Sequence, residues 1–527
     1  MSVKKKPINS IVKGGLLLTI SSFIAKLLSA LYKVPFQNLT GDAGFYVYQQ
    51  IYPIYGLAAS LSLTGIPAFV SKIVSEAQDE KSLEQSLQEL NTWLVSTGLL
   101  LFIFLQSSAE IIATAMGDPG LGVVIQSVAY FFLLLPFLAF IRGYFQGVSD
   151  MLPTSVSQVV EQLIRVFILL GVAVLFTQKN WTIYEMGAYA YHSAWISGLV
   201  GLLTLVLFLR RKKSTLRLIE TFKLRGSIRM GRRLFSEGLL LVAVSSLMVL
   251  LQFIDSFTVY NGLIDAGWGR ELSMAMKGVY DRGQPLIQLG LVVGMGFSMS
   301  SLPVLRKWAV ANHWEEWLEN ATSVIKITTI LSSAAAVGLI AVMPWMNETL
   351  FTDRTGTKAL QLLIISVFLA SLIYAIHMIL QSTNTVGNSL LIMLAGLIFK
   401  LVMNQFIVSR TGILGSSAIT ILSLLIILIL KAQLLPGTLW KRIFSDHFIL
   451  KLGTLLLGMY IIVNGGLTFI ENSFIISGRM SSLLLTLVGV AIGALFFLIG
   501  AVYTKLLDNQ TLEQIPFTKI VEKLKRK

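Results

Sequence analysis

Apolar runs of about 20 residues recur from one end of the chain to the other, separated by short polar turns, and each is long enough to cross the roughly 30 Å hydrocarbon core of a bilayer. The runs are continuous and rich in Leu, Ile and Val, without the two-residue alternation of a barrel strand. Only helices and closed barrels satisfy the backbone in lipid. The pattern therefore predicts an all-α integral membrane protein of about 14 transmembrane helices. The predicted spans are Ile11–Leu31, Phe45–Ser71, Leu90–Ile112, Val123–Phe145, Thr154–Phe176, Met186–Leu209 and Leu234–Val259, then Leu286–Leu305, Ala321–Met343, Leu360–Gln381, Ser389–Val408, Ile413–Leu434, Phe448–Ile470 and Ser482–Leu506. Lys4, Lys5 and Lys6 precede the first run, which reads as a retained signal anchor.

The polar positions fix orientation. With the N-terminus inside, roughly 29 Lys and Arg fall on the cytoplasmic side, about 9 outside and about 4 within spans. A missed span would invert every later loop and spoil this bias, so the count is even and both termini are cytoplasmic. The basic stretch Arg210–Arg233 and the tail residues Lys519, Lys523, Lys525, Arg526 and Lys527 read as topogenic charge resting on anionic lipid, not as a nucleic-acid surface.

The basic stretch also divides the chain into residues 1–209 (spans one to six), a loop 210–233, residues 234–434 (spans seven to twelve), residues 435–507 (spans thirteen and fourteen) and a tail 508–527. The halves are weakly alike. Span two carries Pro53 near its outer end and Pro67 near its inner end; span eight carries Pro285 and Pro303 in the same places. Two six-helix lobes related by a pseudo-twofold axis along the membrane normal, plus two C-terminal helices, are expected. Transporters of this kind place substrate between the halves, and the four prolines are hinge candidates. Gly489 and Gly493 are spaced for close helix packing.

Composition agrees. Of 527 residues, 55% are hydrophobic and 13% charged, where a soluble chain would have about a quarter charged. The absence of Cys removes disulfides and thiolate chemistry. The four scattered His argue against a metal site. No HExxH, GxSxG or Walker loop is present, so no catalytic residues, cofactor or nucleotide drive are expected.

Charges inside spans cost roughly 2.5–3.5 kcal/mol on insertion scales, and each needs a reason. Glu161 and Arg165, four apart, are expected to neutralise one another on one helix face. Lys326 is placed to snorkel, and Lys400 either snorkels or faces a cavity. Lys26 lies deep in span one and calls for a counter-ion such as Asp255 or for an aqueous cavity. Lys33, Arg142 and Arg282 lie at membrane boundaries, where a structural role is as open as a functional one. Together with the neutral donors Gln252 and Gln284, these cations would suit a phosphate-bearing headgroup.

Two segments carry a resemblance. They are Ala25 to Lys72, with Tyr32-Lys33-Val34-Pro35, Gly41-Asp42-Ala43-Gly44, Tyr48-Gln49-Gln50-Ile51-Tyr52-Pro53 and Gly65-Ile66-Pro67, and Gly278 to Gly290, with Tyr280-Asp281-Arg282-Gly283-Gln284-Pro285. The chain resembles the polysaccharide-biosynthesis flippases. This is the branch of the multidrug/oligosaccharidyl-lipid/polysaccharide (MOP) exporter superfamily that holds the stage V sporulation protein B-like and MurJ-like lipid II flippase groups. The resemblance implies fourteen helices, alternating access and an undecaprenyl-pyrophosphate-linked cell-wall precursor as substrate. It places Lys26 where the branch has a span-one cation, Arg282 in the span-eight motif, and a lipid groove along spans thirteen and fourteen. Span two departs from the branch in having Gln49 and Gln50 but no central Arg. A bacterial cytoplasmic-membrane location and cell-wall synthases as partners follow from the same resemblance. The rival readings are a cation-coupled multidrug exporter, for which Asp255 is the acidic candidate, and a polyprenyl-glycan membrane enzyme using the predicted outer loop Tyr260–Gln284.

Overall fold

A computed structural model describes residues 8–211, 227–238, 246–385, 387–474, 478–504 and 506. Most of the basic loop and the basic tail (residues 212–226 and 507–527) lie outside the described residues. Those described are helical throughout apart from short turns. Twelve stretches among them are long and apolar enough to cross a membrane. One of these, Ile20–Glu76, holds the second predicted span and the later part of the first, and the eighth predicted span falls on the helix Gly283–Val310.

The chain forms two compact units, residues 1–281 with 404–409, and residues 282–403 with 410–527. In the first unit the helices are α1 (Ile8–Leu31), α2 (Lys33–Ser60), α3 (Ile66–Glu76), α4 (Glu80–Ala115), α5 (Gly122–Ala129), α6 (Phe131–Gly147), α7 (Met151–Gln178) and α8 (Ile183–Arg211). After these come α9 (Ile228–Arg233), α10 (Leu247–Asp265) and α11 (Arg270–Asp281). The second unit holds α12 (Gly283–Val310), α13 (Trp314–Phe351), α14 (Thr357–Ser382), most of α15 (Ser389–Thr411), α16 (Ile413–Ala432), α17 (Gly437–Ile443), α18 (Phe448–Tyr460), α19 (Gly466–Phe474) and α20 (Arg479–Tyr503).

Local sequence explains the ends and breaks. α4 begins at a capping box in which the Ser82 N–H donates to Asp79 Oδ1 at 2.6 Å; this satisfies an orphan donor of the first turn. α2 starts earlier than its hydropathy suggests. Pro35 sits in its first turn, where a missing N–H costs nothing. Gly41, at φ +70°, then bends the helix, a backbone state that glycine adopts without a Cβ penalty. The predicted loop before span two is therefore helical, and Lys33 is its first residue. Pro67 follows a π turn at Leu61–Gly65, which absorbs the hydrogen bond that proline cannot make. A second π turn, Leu234–Gly238, follows α9. Pro53 and Pro303 lie inside α2 and α12, whereas Pro285 is in the first turn of α12.

The packing is that of a protein with lipid as its solvent. α4 exposes Leu100, Ile103, Phe104 and Ile111, residues a water-soluble protein would cover. Inside the first unit α2 packs on α7, α8, α10 and α11. The stretch predicted as an outer loop, Tyr260–Gln284, is mostly the end of α10 and the helix α11, whose residues Ser273, Lys277, Tyr280 and Asp281 are buried. In the second unit α18 and α20 pack on α13. A Cβ on Gly489 would stand 2.6 Å from Leu467 and 2.9 Å from Val342, the close approach its spacing predicts.

Candidate functional site

Tyr48, Tyr52 and Tyr55 are four and three residues apart on α2, so they share one helix face, and all three are buried. α7 brings Arg165 to that face. Its Nη2 donates to the Tyr48 hydroxyl at 2.9 Å, and its guanidinium lies 3.5 Å from the centroid of the Tyr55 ring. The Tyr48 and Tyr32 hydroxyls are 2.6 Å apart. Tyr191 of α8 stacks on Tyr48 with centroids 5.0 Å apart and donates to the Tyr48 carbonyl at 2.6 Å.

Lys33 enters the same cage. It is fully buried, its Nζ is 3.9 Å from the centroid of the Tyr52 ring, and that Nζ has no hydrogen-bond partner. Lys33 and Arg165 lie within electrostatic reach of each other. Two like charges in a low-dielectric interior repel, and aromatic faces supply only part of what water gave them. Further polar capacity is unspent nearby: Arg165 Nε and both amide atoms of Gln49 are buried and unbonded.

Behind the cage, Lys277 Nζ is 2.7 Å from both carboxylate oxygens of Asp281, a fully buried pair on α11. Asp281 lies within reach of Lys33 and Asp255. Asp255 on α10 accepts from the Tyr280 hydroxyl at 3.2 Å and from Asn404 Nδ2 at 3.0 Å, and Asn404 also donates to Thr258 at 2.7 Å. Lys26 is exposed on α1 and within reach of Tyr52. Lys26, Lys33 and Arg165 thus stand around Tyr52, while Lys277 is paired with Asp281. Such a group can hold an anion.

The sequence-predicted residues divide. Lys26, Lys33 and Asp255 belong to this neighbourhood, where Asp255 accepts from Tyr280 and Asn404. Gln252 is buried in the same unit with its Nε2 unbonded. Arg142 is fully buried and its charge is taken by Glu161 at 2.5 Å, with Ser157 Oγ accepting at 2.9 Å. The expected Glu161–Arg165 pair is thereby replaced: the partner comes from α6, and Arg165 turns to the tyrosines. In the second unit Arg282 makes a two-pronged pair with Asp353, both contacts at 2.9 Å. Gln284 is buried there, and Lys400 is buried and donates to Thr420 Oγ1 at 2.8 Å. Sequence reasoning missed Arg165 as a free cation, Lys277 and the tyrosines. The Tyr48, Tyr52, Tyr55 spacing was the available signal. Among the described residues no cluster of His, Asp and Glu could hold a metal ion.

Comparison with known proteins matches residues 11–308 to the family described as polysaccharide biosynthesis protein. The chain is 34% identical over 519 residues to "Uncharacterized membrane protein YabM" of Bacillus subtilis (strain 168), covering 98% of this chain and 96% of that one. It is 26% identical over 527 residues to "Lipid II flippase MurJ" of the same organism, covering 94% of each. A solved structure of a lipid II flippase MurJ in an inward closed conformation superposes with a TM-score of 0.67 at 12% identity, over 92% of this chain and 99% of that one. The chain is a multi-pass membrane protein that belongs to the polysaccharide biosynthesis protein family, and it is similar to the lipid II flippase MurJ and to the stage V sporulation protein B of Bacillus subtilis (strain 168).

Proposed function

We propose that the chain is a flippase that moves an undecaprenyl-pyrophosphate-linked cell-wall precursor, lipid II or a related lipid-linked oligosaccharide, across the bacterial cytoplasmic membrane by alternating access. The observation that carries this reading is Lys33. It is a fully buried ammonium with no hydrogen-bond partner, within reach of a second buried cation that is held by tyrosines alone. Burial of an ammonium without a partner costs several kcal/mol, and an incoming pyrophosphate removes that cost. Lys33 meets the anion as a point charge, and Arg165 offers a planar set of donors. Lys26, exposed on α1, is the entry cation. Of the predicted hinge prolines Pro53, Pro67, Pro285 and Pro303, Pro67 stands beside a π turn, and the π turn after α9 is added to them as a hinge. Both termini are assigned to the cytoplasm, anionic lipids to the basic loop and tail, and cell-wall synthases stand as partners.

The multidrug reading asks for an acidic site open to organic cations. Asp255, its candidate, is already bonded to Tyr280 and Asn404. The test is outer-leaflet exposure of lipid II in cells depleted of their own flippase and supplied with this gene. Restored exposure that is lost in Lys33→Met supports the reading. Absent restoration, with the protein present in the membrane, excludes lipid II and directs the assay to other polyprenyl-linked glycans.

A further inference from the structure

A buried cation without a hydrogen-bond partner also stands outside this site. Lys431, in the last turn of α16, is fully buried, and its Nζ has no hydrogen-bond partner. No carboxylate of the described residues stands within its electrostatic reach. His377 of α14 lies within its electrostatic reach and is itself buried. The Nδ1 of His377 is 3.4 Å from Ser389 Oγ, and Ser389 is a fully buried residue that opens the 23-residue helix α15. His377 thus links the neighbourhood of an unpartnered ammonium to a hydroxyl at the start of a long helix, whose N-terminus carries partial positive charge.

We propose that Lys431, Ser389 and the start of α15 bind a small monovalent inorganic anion, a halide such as chloride. The size follows from enclosure, since Lys431 and Ser389 have no exposed surface. The charge follows from the donor set, since one ammonium balances one negative charge and leaves a multiply charged oxyanion uncompensated. The anion ties α14, α15 and α16 together inside the second unit. It is independent of the substrate reading, because no residue is shared with the cage around Lys33.

The experiment measures the unfolding temperature of the full-length protein in detergent as sodium bromide or chloride replaces sodium gluconate at constant ionic strength and pH. The expected result is a saturable rise in Tm for the wild type, retained in Lys431→Arg and in Lys33→Met and abolished in Lys431→Met. Ser389→Ala raises the half-saturating halide concentration several-fold and serves where Lys431→Met fails to fold. A Tm independent of halide overturns the proposal in favour of a lysine held neutral. So does a rise that survives Lys431→Met, or one given by sulfate but not by bromide.

Discussion

Arg165 points its guanidinium at the Tyr48 hydroxyl and lays it on the Tyr55 ring, although a carboxylate, Glu161, stands one helical turn away on α7. The arrangement leaves a cation without an anion next to Lys33. Lys33→Met and Arg165→Met are each expected to lower outer-leaflet substrate exposure about tenfold, the factor given by about 1.4 kcal/mol of lost anion binding, with protein levels and unfolding temperature kept or raised. Tyr48→Phe deletes the acceptor of a charged donor, worth about 1.5–3 kcal/mol, and is expected to lower the unfolding temperature as well as transport. A transport assay with parallel melting curves separates the two classes.

Glu161 is committed to Arg142, and the pair is buried on both sides. Removing one partner of such a pair costs about 3–5 kcal/mol because the other charge is stranded, while replacing both is far milder. Glu161→Gln and Arg142→Met are each expected to destabilise strongly, and the double variant less than either alone. Thermal melts of the four proteins in detergent complete the cycle; additive losses would show that the two side chains act separately.

How much of this was legible beforehand follows from where the physics is local. Span positions came from hydropathy, which lipid enforces residue by residue, and the Gly489 contact came from a spacing rule internal to one helix. The choice of partner for Glu161 did not. The i, i+4 neighbour is the default on an isolated helix, and only the approach of α6 brings Arg142 closer. Lys33 was placed at the membrane boundary because it lies just past the end of the first apolar run, Ile11–Leu31. In the fold, Pro35 falls in a first turn and Gly41 makes a bend, so helix continues and draws Lys33 inside. Lys277 looked like loop charge because α11 has a short, polar sequence whose buried face becomes visible only against α2.

The last residues of α3 and α9 are joined by Arg233 and Glu76, 3.0 Å apart and both partly exposed, with the Arg233 guanidinium 6.0 Å from the Phe69 ring centroid. Each helix involved is set off by a π turn, Leu61–Gly65 before α3 and Leu234–Gly238 after α9. Such a pair is worth only about 0.2–1 kcal/mol, strong enough to bias a hinge and weak enough to open. Since the chain has no Cys, a single Phe69→Cys reports without background. Maleimide labelling is expected to rise about 2- to 5-fold in Glu76→Arg and to fall back in the Glu76→Arg, Arg233→Glu swap at low salt. Equal labelling in all three would remove the latch.

Asp353 lies in the turn between α13 and α14. Partial burial pushes its carboxyl up, but hydrogen bonds from Arg282 and Thr355 outweigh this and hold it below the usual carboxylate value. A depressed folded-state pKa means that the bridge stabilises fully above the unfolded value, about 3.9, and that this contribution is lost as pH falls through the folded value. The unfolding temperature is therefore expected to drop between pH 5 and pH 3 by more in the wild type than in Asp353→Asn, whose stability is already lower at pH 7. Parallel acid profiles would show that Arg282 gains nothing from the charge.

Gly278 explains part of the second sequence motif. A Cβ there would stand 2.1 Å from the Asp42 carbonyl oxygen, next to the Gly41 bend, so α11 reaches α2 backbone to backbone. Neither side can yield without moving a helix, and α11 carries the Lys277–Asp281 pair behind the cage. Gly278→Ala is expected to lower the unfolding temperature and to reduce transport together. Gly338→Ala, in α13 with open space around it, serves as the control. There the added methyl meets nothing, and helix propensity alone favours alanine by about 1 kcal/mol, so stability is held or raised. If both substitutions behave alike, the close approach of α11 to α2 is not what the glycine in this motif secures.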